Sequence, residues 1–357
     1  MGEKREIVCR YVGKGLSVYV ATGIAGIKRS TYYYRPNGRP KGRGPSTHTL
    51  NLSSGLVPNE VVVNDIMELI TPEFHDYGYQ TVTPLLKQKG YVINHKKVRR
   101  LMRDNHLLHP PRPKAPAAER LFIKHTVPPL ERPFATIEAD IKYIYIHGAH
   151  RNAFLVSFLC TFSRCNPVWA LEYTMRSNQI IDLLRTLLEN PYVKEYTDPQ
   201  RIMIKIRTDN GPQFIARKLA EALKSINVEH EFIQPGTPQQ NGHIESFHST
   251  VTRLVCNRHI FDDIIDAREV FEDFFRAYNH TRAMAALLYH PPVAFLEMWK
   301  SGVVVVKTDK KNREKFFFRE EQAPKKGLGS PTEALLGNDK INTFANRVLT
   351  TQEISPV

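Results

Sequence analysis

The 357-residue sequence predicts an α/β protein: a mixed-sheet core preceded by all-helical modules and followed by a small tail with some β character. Three observations carry this. From about residue 135 to 255, strand-period and helix-period segments follow the order β-β-β-α-β-α-β-α, as in a mixed sheet flanked by helices. Ahead of them only helix-period segments occur. Pro- and Gly-rich basic stretches at 35–46 and 109–117, with a further Pro-rich run at Val127–Pro133, read as linkers. They divide the chain into residues 1–46, 47–117, 118–300 and 301–357.

Residues 4–34 read as short helices. Leu16-Ser17 opens a segment up to Thr22, Gly23–Gly26 can turn, and Lys28–Tyr34 continues. This outlines a helix-turn-helix that presents Lys28, Arg29, Ser30 and Thr31 to a major groove; a small hairpin with a solvated Lys-Arg pair fits the same pattern. Between the linkers, Val62, Ile66, Leu69 and Ile70 have helical spacing. A second helix runs from Thr81 to Lys89 and stops at Gly90, and a third follows the N-cap Asn94. The third turns Val98, Leu101 and Met102 inward and spreads Lys96, Lys97, Arg99, Arg100 and Arg103 round the rest. That set suits phosphate contacts or a solvated face.

In the core, Thr136–Ile146 alternates, with Ile137, Ala139, Ile141, Tyr143 and Tyr145 on one side. Glu138, Asp140 and Lys142 fall on the other, which is expected to look towards a partly open side of the sheet. Asn152–Thr161 is nearly all apolar, as in a central strand buried on both faces. Pro167–Tyr173, Arg201–Arg207 and Val228–Ile233 read as strands; Asn178–Leu188, Phe214–Ile226 and about Gln239–Val255 read as helices. In the tail, Gly302–Val306 is strand-like, Phe316–Phe318 sits among basic residues, and from Gly327 little order is expected.

The net charge of +14 is uneven: +12 over residues 1–130, −1 over 131–300 and +3 over 301–357. A basic front end on a near-neutral body points to a module that binds a polyanion, with nucleic acid the default partner. Composition, at 41% hydrophobic and 24% charged, supports an ordinary core. No apolar run is long enough to span a membrane, and the charged start leads into no apolar stretch of a secretory signal. Glu6 stands where a myristoylation motif needs Ser or Thr. Cys9, Cys160, Cys165 and Cys256 form no CxxC pair and read as reduced thiols. A cytoplasmic, nucleoid-associated protein without a membrane partner is expected.

Three acids stand out by position. Asp140 lies midway along the first core strand, Asp209 follows the fourth, and Glu245 lies on the last helix. Each alone is commonplace. Together they suit a cation, because gathered carboxylates repel one another without one, and open oxygen sites favour Mg²⁺ or Mn²⁺. Two such ions about 3.5–4 Å apart can activate a water or a 3′-hydroxyl and stabilise the leaving oxygen of a phosphodiester. The Asp209-Asn210-Gly211-Pro212 run forces a tight turn. The loop from Pro235 to Gly242, with Thr237 and Gln240 resembling a capping box, is placed to grip DNA ends.

The runs D-I-K-Y-I at 140–144, T-D-N-G-P-Q-F at 208–214 and G-T-P-Q-Q-N-G-H-I-E-S-F-H at 236–248 resemble bacterial insertion-sequence transposases of the retroviral-integrase (DDE) superfamily. The IS-three group is the most similar. Asp209 and Glu245 have 35 residues between them, as in that family, and Y-G-Y at 77–79 and V-R-R-L-M-R-D-N-H-L at 98–107 resemble its helical module. The resemblance implies a ribonuclease-H-like core in which Asp140, Asp209 and Glu245 are catalytic and hold two Mg²⁺ (or Mn²⁺) ions. It implies cleavage at element ends by water, then attack of the freed 3′-hydroxyl on another phosphodiester, with no covalent protein–DNA intermediate. Partners would be double-stranded DNA (terminal inverted repeats and target), further copies of the chain on that DNA, and an upstream helix-turn-helix or leucine-zipper protein. Candidate DNA contacts are Lys28, Arg29, Lys96, Lys97, Arg99, Arg100, Asn241, His248 and Arg253.

The chain departs from the family in places. Thr252 stands where a Lys or Arg is usual, with Arg253 about 100° round the helix. Glu138-Ala139 replaces the usual aromatic, no long heptad repeat occurs, and no zinc-binding HHCC module is present. Two other readings remain open on the residues: a DNA-binding regulator with a dead core, and a nuclease that does not join strands.

Overall fold

The structure, a computed structural model, describes residues 2–34, 44–110, 130–197, 204–234, 237–309 and 313–319. The expected linkers lie mostly outside these residues, as does the tail beyond 319. The chain divides into two compact units, residues 1–47 and 48–357.

In the first unit, helices α1 (Gly2–Gly13), α2 (Val18–Ala25) and α3 (Arg29–Tyr33) follow one another. Ser17 caps α2 by accepting from the Val20 amide. The turn is shorter than expected. Gly23 stays inside α2, and only Gly26 takes the left-handed conformation (φ 60°) that ends it. Lys28 and Arg29 are exposed at the start of α3, which has only five residues.

The second unit opens with a hairpin absent from the expectation, β1 (His48–Asn51) and β2 (Gly55–Pro58), paired antiparallel. Helices α4 (Asn59–Ile70) and α5 (Tyr79–Gln88) follow, then a short β3 (Tyr91–Val92) against β1, then α6 (His95–Asp104). Val62, Ile66, Val82, Leu86, Val98 and Met102 form their common core. Gly90, at φ 88°, turns the chain out of α5 and lies against the Asn51 side chain, whose Nδ2 donates to the Lys89 carbonyl. Asn94 caps α6, accepting from the Lys97 amide at 2.9 Å.

The five-stranded sheet comprises β4 (Thr136–Ile146), β5 (Arg151–Cys160), β6 (Val168–Glu172), β7 (Ile204–Thr208) and β8 (Val228–Phe232), in the order β6-β5-β4-β7-β8. The first three are antiparallel; β7 and β8 join parallel to β4. Helices α7 (Ser177–Glu189), α8 (Pro191–Tyr196) and α9 (Arg217–Ser225) cover one face, packing on Ile137, Ala139, Val156 and Phe158. The other face holds α10 (Gly242–Val251), which continues as a π-helical turn over Thr252–Cys256, and α11 (Ile264–His280). Phe247, Val251, Phe271 and Phe274 pack there against Ile144, Ile146, Leu155 and Leu159. A mixed sheet in this order, with helices on both faces, is ribonuclease-H-like.

Helix α12 (Pro292–Lys300) and a hairpin of β9 (Val304–Thr308) and β10 (Glu314–Phe318) complete the described chain. Phe316 packs edge-on against Phe162 and Phe295, so this hairpin closes the core. Among the described residues no helix is long and apolar enough to cross a membrane.

Candidate active site

Parallel pairing of β4 with β7 sets Glu138 opposite Arg207. Asp209 follows β7 directly, and its charge acts on Asp140, two residues beyond Glu138 on β4. Asp209 is held by the turn that follows it. Its Oδ1 accepts from the Gly211 amide at 3.0 Å, Asn210 Nδ2 donates to the Ile233 carbonyl, and a Cβ on Gly211 would come within 3.0 Å of Asp209 Oδ1. The Asn-Gly run is therefore a requirement of the carboxylate as well as of the turn.

Asp140 is half-buried, with Oδ1 accepting from the Ile141 amide. Burial pushes its carboxyl up to about 6, and the negative charges of Asp209 and Glu245 push the same way. Glu245 is exposed in the first turn of α10, and partial desolvation raises its carboxyl as well. Among the described residues no three acidic, histidine or cysteine groups stand close enough to enclose a metal ion. Asp209 and Glu245 thus act electrostatically on Asp140 without closing with it into a ligand cage.

The face of β4 that carries Asp140 is not open along its length, as the alternation had suggested. Glu138 is 0% exposed, covered by the start of α10. Its Oε2 accepts from the Ile244 amide at 2.7 Å, and burial pushes it to about 7 against the opposing pull of that bond, Arg207 and Arg164. Arg207 donates Nε to Glu231 and Nη1 to the Gln240 carbonyl, tying the segment before α10 to the sheet. His248 Nδ1 lies 3.4 Å from Asp140 Oδ2. Burial, aided by Lys142, holds its ring down at about 4, so it is neutral near pH 7. Lys142, on the Asp140 side of β4, pulls the Asp140 carboxyl down.

The other candidates divide into two groups. Lys96 and Arg99 are exposed on α6, the latter over the Tyr79 ring; Lys97 donates Nζ to the His48 carbonyl and Arg100 is half-buried. Asn241 is buried, and Arg253 is engaged within the protein. The π-turn swings Arg253 into an ion pair with Asp76, which also binds Arg282. That pair lines a cavity of about 390 Å³ between the helical module and α10. Sequence reasoning passed over Glu138 and Arg207 as site residues. The alternation placed Glu138 beside Asp140, but only tertiary burial shows that α10 rests on it.

Comparison with known families bears on this geometry. Residues 131–238 and 226–292 match families described as integrase core domain, and residues 59–115 match an HTH-like domain. The chain thus carries an integrase core domain and an HTH-like domain, and its relatives include insertion-sequence transposases. Similar proteins are an uncharacterised 39.2 kDa protein of insertion element IS476 from Xanthomonas euvesicatoria and the putative transposase InsK of IS150 from Escherichia coli. The first is 26% identical over 84% of this chain and 78% of its own length. The second is 23% identical over 76% of this chain and 90% of its own. A solved structure of the Mos1 mariner transposase catalytic domain aligns at 18% identity over 40% of this chain and 71% of that one, with a TM-score of 0.35. The integrase core domain and the transposase relatives indicate a polynucleotidyl transferase.

Proposed function

We propose that the pocket formed by Asp140, Asp209 and Glu245 cleaves DNA at the ends of a mobile element and joins the freed 3′-hydroxyl to target DNA. The observation that supports this is the parallel β4–β7 pairing, which makes the strand of Asp140 a neighbour of the strand leading into Asp209, with the charges of Asp209 and Glu245 both acting on Asp140. The donors are all oxygen, and burial, with the charges of Asp209 and Glu245 adding to it, raises the Asp140 carboxyl; such a set suits Mg²⁺ or Mn²⁺ ions. When bound, the ions supply an activated attacking oxygen and a stabilised leaving oxygen. Asp140 and Asp209 hold the strand-end side of the pocket, Glu245 the helix side, and neutral His248 orients Asp140. In the first step a water oxygen bonds to phosphorus and the element's 3′ oxygen leaves with a proton. In the second that 3′ oxygen bonds to a target phosphorus and the target's own 3′ oxygen leaves.

Lys28, Arg29, Lys96 and Arg99, all exposed, are the phosphate contacts in this reading. Several copies act together on two DNA ends, in the cytoplasm at the nucleoid. The test is a joining assay on DNA carrying the terminal repeats. Asp209→Asn should abolish cleavage and joining in Mg²⁺ while leaving DNA binding within twofold of the parent chain. Unchanged joining by that variant overturns the proposal, and cleavage without joined product by the parent chain reduces it to a nuclease.

A further inference from the structure

Helix α10 begins without a cap of its own. Asn241, at the N-cap position, makes no side-chain hydrogen bond to the helix, and the amides of a first turn have no partner within the helix. Glu138 supplies the missing acceptor from the neighbouring strand. Its Oε2 takes the Ile244 amide at 2.7 Å. A negative group at a helix N-terminus is favoured by the helix dipole as well. The position is 0% exposed, where an apolar residue would ordinarily sit, and Oε1 has no hydrogen-bond partner among the described residues.

The location gives this cap its meaning. Glu138 lies two residues before Asp140 on the same side of β4, about 6.6 Å along the strand. Ile244 immediately precedes Glu245. One side chain therefore joins the element carrying one acid to the element carrying another, and its length sets their separation. Arg207 holds the preceding Gln240 carbonyl from the adjacent strand, so α10 enters the pocket from two fixed points.

We propose that Glu138 is a positioning residue, a cap supplied across the fold that fixes Glu245 relative to Asp140. This rests on the reading of those acids as the metal-holding pair. What matters is reach and acceptor geometry, so an amide of the same length should serve and a shorter carboxylate should not.

The test compares Glu138→Gln with Glu138→Asp in the full chain. Glu138→Gln should join DNA within threefold of the parent. Glu138→Asp, one methylene short of Ile244, should lose at least 30-fold in joining and need at least tenfold more Mg²⁺ for half-maximal rate. In the metal-free chain, amide exchange at 243–245 should quicken at least tenfold in Glu138→Asp and stay unchanged in Glu138→Gln. Joining and exchange by Glu138→Asp at parental levels, or equal losses in both variants, overturn the proposal. If the parent itself joins nothing, the proposed function fails, and the exchange comparison still decides whether Glu138 caps α10.

Discussion

Truncating Arg282 to alanine is the sharpest test of how the helical module is fastened to the catalytic core. Arg282 Nη2 bonds Asp76 Oδ1 at 2.7 Å, both side chains being 12% exposed, and Nη1 donates to the Phe74 carbonyl at 2.6 Å. Nearby, the Ala283 amide donates to the Tyr77 hydroxyl. Breaking a buried ion pair from one side costs about 3–5 kcal/mol. Asp76 keeps Arg253 as a second partner, which places this pair at the lower end. A stranded Phe74 carbonyl adds about 1 kcal/mol. Arg282→Ala should thus destabilise the chain by about 4 kcal/mol. Asp76→Ala and the double variant complete a cycle with a coupling of about 2 kcal/mol. Urea unfolding followed by the fluorescence of Trp169 and Trp299, the chain's two tryptophans, reads each value. Losses below 0.5 kcal/mol (roughly the scatter of surface changes) that simply add would refute the fastening.

Other perturbations have equally definite outcomes. Gly211→Ala brings a methyl to 3.0 Å from Asp209 Oδ1 and should displace that carboxylate, lowering joining about tenfold with little change in melting temperature. Gly148→Ala is different in kind: its Cβ would meet the Asp262 carbonyl oxygen at 2.1 Å, backbone against side chain, and a melting curve should register a loss of about 2–3 kcal/mol. His290 is 5% exposed, and burial holds its ring down at about 4, from an ordinary 6.5. The unfolded chain therefore takes up a proton first, so this contribution is whole above pH 6.5 and is lost as pH falls towards 4. Thermal unfolding of the parent at pH 5 should show about 2 kcal/mol less stability than at pH 7 from this residue, and His290→Gln should lose that share of the slope.

The sequence was most legible where local signals and tertiary packing agree. Thr136–Ile146 is a strand with the expected bounds, although Ile144 and Ile146 are buried at its far end and Tyr143 and Tyr145, expected with the apolar set, are exposed; Asn94 and Gly90 mark helix ends by their own backbone chemistry. The β1–β2 hairpin was not legible, because its strands are four residues long and their register depends on Asn51 reaching Gly90, 39 positions away. Helix α11 was passed over although Asp263 caps it and Ala267, Phe271, Phe274 and Tyr278 keep helical spacing. For the site, the trio of acids was visible in motif order, but the fate of Arg253 was not. A helix of uniform pitch gives no hint of the π-turn that takes it to Asp76.

The place of β4 at the middle of the sheet has a consequence for the order in which the chain becomes dangerous. Its partner β7 is synthesised some sixty residues after it, and α10 later still, so closing the pocket waits on long-range pairing, the slow part of assembling such a topology. A chain still leaving the ribosome already carries its whole cationic front end. On the proposed reading, an unfinished copy can cling to nucleic acid but has nothing with which to cut it.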